Sequence, residues 1–336
     1  MLLGIFSVSA LFRPLEVPGQ PFPTSAITLE NQRPGTSAWQ LTKPAPGHQI
    51  EGYASLTSVN RGGQIRFFVN TASSNYVFEI FRFGWYGGAG GRRVLGPLTL
   101  PGVVQPQPPI DPSTGLIECN WAVSYTLNVP GTPDPTDWPS GVYLIKLTEN
   151  NYGFQSYIIF VVRDDARSSD LLAQLSFTTY QAYNNWGGKS LNGFNSVGPP
   201  AQKVSFNRPF ASYQASSPYW VGSGEFLVAR YFGAWECNLV RWLEREGYDV
   251  STAPAWTPTR SRTFCGATKG LSRWATMNTG RIRCAGTFRQ RVTEGSTWRF
   301  FQATLAIGKC GSSPAASTAQ MPATWSATSP PMIRFM

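Results

Sequence analysis

The chain has 336 residues, of which 42% are hydrophobic, 14% aromatic and only 14% charged. This length allows roughly two domains, and the apolar fraction is enough to bury a sizeable core. The 33 glycines and 27 prolines, beside so many aromatic residues, indicate β-rich structure with long loops. No segment is long and apolar enough for a transmembrane helix, so no membrane partner is expected.

The net charge of +10 is confined to the C-terminal part of the chain. Residues 1–250 hold 17 basic and 17 acidic side chains, whereas residues 251–336 hold 11 basic residues and one acid, Glu294. A basic protein suggests a nucleic-acid partner, but here the charge belongs to the tail alone. We therefore expect no nucleic-acid partner. Binding through the tail is an alternative that predicts affinity falling steeply with salt.

Signals for a structural metal site and for targeting are weak. The five cysteines include no CxxC pair, and the single histidine, His48, is remote from all of them in sequence, so zinc is not expected. Residues 1–12, MLLGIFSVSALF, are apolar but lack a basic n-region and a clear cleavage site. A cytoplasmic location and export by a weak N-terminal signal both stay open.

Residues 1–47 are predicted to be an extended, Pro-rich lead-in, and residues 48–163 a β-sandwich. In the second range, short runs rich in aromatic and β-branched residues are separated by turns, with no helical stretch between them. The runs are QIRFFV (64–69), YVFEIFRFGWY (76–86), WAVSYTLNV (121–129), GVYLIKLT (141–148) and SYIIFVV (156–162). The glycine cluster GGAGG (87–91) follows a strand and opens no helix, which favours a β-turn over a phosphate loop.

Residues 168–250 are predicted to begin an α/β domain. LLAQLSF (171–177) is typical of a buried strand that is apolar on both faces, and it leads into a Tyr-, Asn- and Gly-rich loop at 178–196. A helix at 235–246 carries apolar residues at i, i+4, i+7 and i+8, ends at Gly247 and is followed by a strand. Strand, loop, helix and strand in this order open a doubly wound, Rossmann-like domain, which binds ligands in such loops.

After Val250 the periodicity stops, and residues 251–336 are expected to be largely irregular or disordered. Their composition, rich in Arg, Ala, Ser, Thr and Pro, is what G+C-rich coding DNA gives when it is read out of frame. If each codon starts one base earlier, RWATMNTG (273–280) can become V-G-H-D-E-Y-W, in which the genetic code forces the Gly and the Glu. The same frame can turn 295–301 into V-N-L-A-F-F, so we predict a frameshift between Val250 and Ala255. A genuine basic tail is the alternative, although scattered Trp and Phe residues disfavour it.

Several distinctive runs of the chain occur together in one order. They are IEGYASLTSVNRGGQIRFFVNT (50–71), RFGWYGGAGGRRV (82–94), GLIECNW (115–121), DWPSGVYLIKLT (137–148), QSYIIFVVRDD (155–165), TTYQAYNNWGGKSL (178–191) and VRWLEREGYDV (240–250). These runs resemble the N,N-dimethylformamidase large-subunit-like family over roughly residues 28–250. The resemblance implies an Ig-like sandwich followed by a glutamine-amidotransferase-like α/β domain, here truncated. It also implies hydrolysis of an amide C–N bond in a small molecule.

The resemblance further implies a mononuclear iron held by two tyrosines and a glutamate, the latter in a His-x-Glu-Tyr motif. Tyr180 and Tyr183 match the first tyrosine region, and each can be a ligand or a packing aromatic. The second tyrosine corresponds to Asn192, in SLN, where related sequences often read SLY. The shifted reading V-G-H-D-E-Y-W resembles the third motif, which residues 274–278 replace in this chain. We therefore expect a chain without iron that is inactive as written.

Phenolate and carboxylate suit ferric iron, which polarises an amide carbonyl and activates water. Beside the tyrosines, the candidate substrate-binding residues are Asn184, Asn185, Lys189 and Asn192. The first three can equally cap the loop in which they lie.

The remaining candidates have simpler interpretations. Glu225 and Glu236 are the acids nearest the tyrosines in sequence, and for Glu236 an interaction with the helix dipole suffices. His48 is expected to be solvated. A non-catalytic binding or adhesion module built on the sandwich is the alternative to an enzyme. Neither the substrate nor the oligomeric state follows from the sequence.

Overall fold

The computed structural model describes residues 24–134, 137–211, 220–227, 235–254, 304–307 and 324–326. Three sequence predictions lie outside these residues: the N-terminal segment 1–12, the shifted motif at 273–280 and the shifted strand at 295–301. No helix in the described ranges is long and apolar enough to cross a bilayer.

The lead-in that was predicted to be extended contains helix α1 (Ala26–Asn31). Ser25 and Thr28 form a capping box at its start. The Ser25 hydroxyl accepts from the Thr28 backbone N–H at 3.1 Å, and Thr28 Oγ1 accepts from the Ser25 N–H at 2.7 Å. This reciprocal cap satisfies backbone donors that the first turn of a helix otherwise leaves open. The helix therefore forms despite the prolines around it.

After α1 the lead-in is fastened to the first part of the fold by hydrogen bonds that run in both directions. The buried Lys146 ammonium donates to the carbonyl oxygens of Ala38 and Gln40, both at 2.9 Å. Trp39 donates from Nε1 to the Ala89 carbonyl at 3.0 Å. These bonds replace the water that the lead-in backbone and the lysine lose on packing.

Eight strands form between residues 50 and 163: β1 (Ile50–Ala54), β2 (Ser58–Asn60), β3 (Gln64–Thr71), β4 (Asn75–Phe83), β5 (Gly91–Pro101), β6 (Tyr125–Asn128), β7 (Gly141–Glu149) and β8 (Gln155–Arg163). One sheet has the order β1-β3-β6, and a five-stranded sheet has the order β2-β8-β7-β4-β5. Only β2 pairs parallel with its neighbour in these sheets. Each predicted run becomes a strand, and the glycine cluster includes a 3-10 turn (Tyr86–Gly88).

The two sheets pack face to face around an apolar core. Phe67 of β3 lies against Phe78 of β4 and Phe160 of β8, with ring centroids 5.9 and 5.3 Å apart. These tilted and edge contacts are the arrangements that aromatic rings prefer. Ile65 and Val69 alternate with exposed or half-buried residues along β3, as period two requires. The β-rich prediction is confirmed, while its Ig-like character stays a prediction.

The five-stranded sheet is covered on both faces. In β7, Tyr143 and Ile145 belong to the core between the sheets, whereas Val142 and Leu144 face a second apolar cluster that includes Phe177. A strand that is buried on both sides needs apolar residues at successive positions rather than alternate ones. This explains why the run GVYLIKLT shows no clean alternation.

A second region follows, and its elements are β9 (Leu171–Leu175), α2 (Phe177–Tyr183), β10 (Lys203–Ser205), α3 (Trp235–Arg245) and β11 (Val250–Pro254). β9 and β11 pair parallel, with α3 between them in the chain. This is the order of strand, helix and strand that the sequence predicts. The Rossmann-like and glutamine-amidotransferase-like details stay predictions.

Two elements of the second region differ from expectation. β9 is not buried on both faces: Leu171 and Ala173 pack near Leu243 of α3, but Leu172 and Gln174 are only half-buried. The predicted loop at 178–196 also begins as helix α2. Its sequence FTTYQAY contains no glycine or proline, and the helix ends at Asn184, which is extended.

The tail contributes two further strands in the described residues. β12 (Thr304–Ile307) pairs antiparallel with β9, and β13 (Thr324–Ser326) pairs antiparallel with β10. Together with most of β11, these strands are the described part of a tail that was expected to be largely irregular. The rest of residues 255–336 lies outside the described ranges.

A buried ion pair joins the five-stranded sheet to the second region. Arg82 of β4 donates from Nη2 to Glu244 Oε1 at 2.6 Å and from Nη1 to Glu244 Oε2 at 3.1 Å, and the two side chains are 0% and 2% exposed. Arg82 also donates to the Tyr86 hydroxyl and to the Ser140 carbonyl. Burial disfavours the guanidinium charge, but Glu244, together with Tyr86 and Glu30, offsets this and raises the pKa of Arg82.

The same network reaches α1 and β5. Asn31 donates from Nδ2 to Glu244 Oε2 at 2.8 Å, and the Tyr86 hydroxyl donates to the buried Glu30 at 2.6 Å. Arg92 of β5 donates from Nε to the same Glu30 oxygen at 2.6 Å. Elements α1, β4, β5 and α3 therefore meet at a group of two arginines and two glutamates.

We expect Glu244→Gln to lower the free energy of unfolding by about 3–5 kcal/mol, because it leaves the Arg82 charge buried without a counter-charge. Urea unfolding followed by circular dichroism measures the change. The control is Glu79→Gln, which breaks the pair with Arg93, whose side chain is 46% exposed. That change should cost less than about 1 kcal/mol. Equal losses in the two variants would contradict the structural role of Arg82–Glu244.

Candidate functional site

A cavity of about 450 Å³ lies where the two sheets meet the second region. His48, Glu51 and Ser156 line it from the segment just before β1, from β1 and from β8, and Trp186 and Phe210 line it from the second region. Small-molecule sites usually enclose about 300–1,000 Å³ and combine apolar walls with a few polar groups. The cavity has both properties and is the candidate site.

Glu51 is the central acceptor in the cavity wall. Its Oε2 accepts from Trp186 Nε1 at 2.7 Å and lies 2.5 Å from His48 Nδ1, and its Oε1 accepts from Asn70 Nδ2 at 3.2 Å. The carboxylate is buried, so these three donors replace its lost hydration.

Local backbone geometry brings these groups together. His48 adopts a left-handed conformation with φ 61° just before β1, which returns its imidazole towards Glu51 three residues later. Trp186 opens a 3-10 turn (Trp186–Gly188) in which Gly187 has φ 73°. A Cβ added to Gly187 would meet Ile117 Cδ1 at 2.7 Å, so this tight turn needs glycine there.

The hydrogen bond to Glu51 raises the pKa of His48, and partial burial opposes this only in part. The imidazolium therefore persists to higher pH than in a free histidine. The side chain is 58% exposed, yet Nδ1 is engaged with Glu51. The prediction that His48 is solvated misses this pairing, which fixes the ring and leaves Nε2 as its second donor.

Ser156 is a polar group in the cavity wall that sequence reasoning did not single out. The residue is fully buried in β8, and its hydroxyl has no hydrogen-bond partner within the described ranges. Buried polar atoms are almost always paired, so an orphan beside a cavity suggests a bound group. The i, i+3 spacing of His48 and Glu51 was the available signal for this site. The bond from Trp186 to Glu51 spans 135 residues and could not be seen in the sequence.

The two predicted tyrosine ligands lie on α2, and neither lines the cavity. The Tyr180 ring packs against Phe177 and Phe210 at centroid distances of 5.2 and 6.4 Å. Its hydroxyl is buried and has no partner among the described residues. The Tyr183 ring lies 5.9 Å from that of Phe194. The metal role of both tyrosines stays a prediction.

Arg208 organises the loop after α2, although the sequence analysis did not identify it. Its buried guanidinium donates to the backbone carbonyls of Asn184, Trp186 and Lys189 at 2.9, 3.3 and 2.9 Å. Burial lowers the pKa of Arg208 to about 10, so it is still charged at neutral pH. The arginine holds the turn that presents Trp186 to the cavity.

The four predicted substrate-binding residues, Asn184, Asn185, Lys189 and Asn192, surround this loop. Three of them use their side-chain donors within it. The bonds run from Asn184 Nδ2 to the Gln181 side chain and the Pro209 carbonyl, from Lys189 Nζ to the Val197 and Pro199 carbonyls, and from Asn192 Nδ2 to the Ala182 carbonyl. Loop capping accounts for these bonds. Asn185 is the one of the four that lines the cavity.

Two acids of the second region are desolvated. Burial raises the pKa values of Glu225 and Glu236 to about 7 each. Glu236 Oε1 accepts from the Ser176 backbone N–H at 3.0 Å, and its Oε2 has no partner among the described residues. Glu236 therefore does more than interact with a helix dipole, because it ties α3 to the start of α2. Within the described residues, no three His, Cys, Asp or Glu side chains cluster as metal ligands do.

The sequence matches a known family. The family described as N,N-dimethylformamidase beta subunit-like, C-terminal, matches residues 77–258, which is more than half of the chain. No curated protein matches the sequence.

Two solved structures show a distant likeness. The alkylpurine DNA glycosylase AlkC of Pseudomonas fluorescens, bound to DNA containing an abasic site analog, is 12% identical over 35% of this chain and 31% of that chain, with a TM-score of 0.20. Murine CEACAM1b is 13% identical over 38% of this chain and 60% of that chain, with a TM-score of 0.17. The matched segments span less than two thirds of either structure, and neither likeness bears on fold or function.

We expect Glu236→Gln to stabilise the protein at alkaline pH. The pKa of this carboxyl is raised in the folded state, so folding favours the protonated form and stability falls as pH rises from about 4.5 to about 7. Glutamine keeps an oxygen for the Ser176 N–H and carries no charge. The free energy of unfolding should therefore rise by up to about 3 kcal/mol at roughly pH 8 and change little at roughly pH 4.

Urea unfolding at both pH values measures this difference. Glu246→Gln is the matched control, since this acid follows the same helix but its side chain is 39% exposed. It should show no gain that depends on pH. The same change in stability at both pH values for Glu236→Gln would show that burial does not perturb this carboxyl.

Proposed function

Since this chain belongs to the N,N-dimethylformamidase beta subunit-like family, we propose that its fold serves hydrolysis of a small amide and that the chain is catalytically incomplete as written. The observation that carries the proposal is the extent of the family match, which ends at residue 258. That end lies just past the predicted join between Val250 and Ala255. The match and the folding periodicity of the sequence thus stop at nearly the same place.

The proposed cofactor of intact members is a mononuclear iron with two tyrosine ligands and one glutamate. Tyr180 supports this proposal, because a buried phenol without a hydrogen-bond partner among the described residues is a suitable hard donor. Tyr183 is the weaker candidate of the two, since it is less buried.

The remaining ligands do not fit iron in this chain. Asn192 stands where the second tyrosine is expected, and its amide bonds to the Ala182 carbonyl. Residues 274–278 contain no acid, and Glu294 is the sole acid after Val250. A neutral amide and a lone phenol lack the anionic oxygen donors that ferric iron requires. The chain as written is therefore proposed to hold no iron and to hydrolyse no amide.

The test compares the chain as written with a version that carries Asn192→Tyr and whose gene has a single inserted base between the codons of Val250 and Ala255. The inserted base restores the frame in which the Glu codon at Met277–Asn278 is read. We expect the restored protein to bind iron stoichiometrically and to release dimethylamine from N,N-dimethylformamide. Iron is measured by mass spectrometry and dimethylamine by chromatography. The chain as written should do neither.

In the restored protein, Tyr180→Phe should abolish iron binding, whereas Tyr152→Phe, at a tyrosine that is 73% exposed, should not. Two results would contradict the proposal. One is stoichiometric iron and dimethylamine release by the chain as written. The other is a restored protein that is folded by circular dichroism and binds no iron.

A further inference from the structure

We propose that the cavity between β1, β8 and the Trp186–Gly188 turn binds a small carboxylate that carries a planar apolar group. Two hydrogen-bond donors of its wall, the Ser156 hydroxyl and His48 Nε2, make no hydrogen bond to a described residue. Neither Tyr180 nor Tyr183 lines this cavity. The proposal therefore does not depend on iron or on amide hydrolysis.

Ser156 is the uncommitted polar group at this end of β8. Its neighbours on the strand are both engaged with the lead-in: Gln155 Oε1 accepts from the Thr42 N–H at 2.7 Å, and the Tyr157 hydroxyl donates to the Trp39 carbonyl at 2.8 Å. Ser156 is 0% exposed and lines the cavity. Buried hydroxyls are almost always hydrogen-bonded, so this unpaired hydroxyl is a candidate partner for a group that enters the cavity.

The donors in the wall select an acceptor ligand. Glu51 already accepts from three groups, Trp186, Asn70 and His48, so its two oxygens are engaged within the wall. What remains for a ligand is the imidazolium Nε2–H of His48 and the Ser156 O–H. A carboxylate has one oxygen for each donor, and the Nε2–H of the imidazolium makes a charge-assisted hydrogen bond with it.

The apolar walls select a flat group behind the carboxylate. The Trp186 indole is fixed by its bond to Glu51 and by an edge contact with Trp121, at a centroid distance of 6.0 Å and an interplanar angle of 78°. Aromatic surfaces of this kind accommodate a planar ring.

His48 is the group in this wall that changes charge near neutral pH. Glu51 faces it directly, and Cys119 lies near enough to Glu51 to interact with its charge. Burial raises the pKa of the Cys119 thiol to about 12 and raises the pKa of the Tyr157 hydroxyl, so both stay neutral. Arg208, near Cys119, stays charged, with its pKa lowered by burial to about 10. Carboxylate binding should thus follow the protonation of His48, present at low pH and lost as pH rises through its raised pKa.

The experiment is isothermal titration of the full chain with benzoate, and with benzamide as a neutral ligand of the same shape. We expect saturable benzoate binding at roughly pH 6, weakened at least about tenfold at roughly pH 9. Benzamide should bind at least about tenfold more weakly than benzoate at the lower pH, because it lacks the charge.

Variants locate the site. Ser156→Ala and His48→Gln should each weaken benzoate binding about tenfold or more, and His48→Gln should also remove the pH dependence. Since His48 is largely exposed, its variant tests the site even where Ser156→Ala destabilises the fold. The control is Ser73→Ala, at a buried serine outside the cavity whose hydroxyl donates to the Asn75 carbonyl at 2.8 Å. It should leave the Kd unchanged.

Three results would overturn the proposal. The first is no saturable benzoate binding at either pH. The second is benzamide binding as tightly as benzoate. The third is benzoate binding that neither His48→Gln nor Ser156→Ala weakens.

Discussion

The pairing of Arg82 with Glu244 determines how the two parts of this molecule fit together. A guanidinium that is wholly removed from water on the face of a sheet is unfavourable until a carboxylate reaches it. Glu244 does so from α3, with two hydrogen bonds that fix the helix in translation and in rotation. Apolar contacts between the same surfaces would tolerate a shift of an ångström or so, whereas the charges would not. The pair therefore contributes more to the precision of the interface than to its net free energy.

The cavity follows from this arrangement. With α3 and α2 held against one face of the five-stranded sheet, the loop stabilised by Arg208 lies over the open end of β1 and β8. Glycine at this end lets two backbones approach directly, as Gly222 does against Tyr157. The space that is left has polar groups on the side of the sheets, around Glu51, and aromatic groups from both sides. Its chemistry is therefore shared between the two regions, and neither region forms it alone.

The sequence predicts the regular elements well and the contacts between them poorly. Strands were readable from aromatic and β-branched runs, and the end of α3 from Gly247, which has the positive φ, 78°, that glycine favours. Helix α1 was not predicted because its cap pairs Ser25 with Thr28, whereas the common capping box has Glu or Gln at the second position. Helix α2 was not predicted because its tyrosines were interpreted as loop ligands and its helix propensity was not considered. The groups around Glu51 come from three distant segments, so no local pattern contains them. The family resemblance identified Tyr180 and Tyr183 as candidates, whereas Ser156 is recognised only from the structure, in which its hydroxyl has no hydrogen-bond partner among the described residues.

The lead-in has a consequence for the order in which this chain becomes compact. Lys146 reaches back to Ala38 and Gln40, and α1 supplies Glu30 and Asn31 to the charges around Arg82. A ribosome delivers Arg82 long before Glu244, so Arg82 is made before its partner carboxylate is available. Until α3 docks on the sheet, water hydrates the guanidinium and this face of the sheet stays solvated. Docking of the last turn of α3 is therefore the step that removes this surface from water.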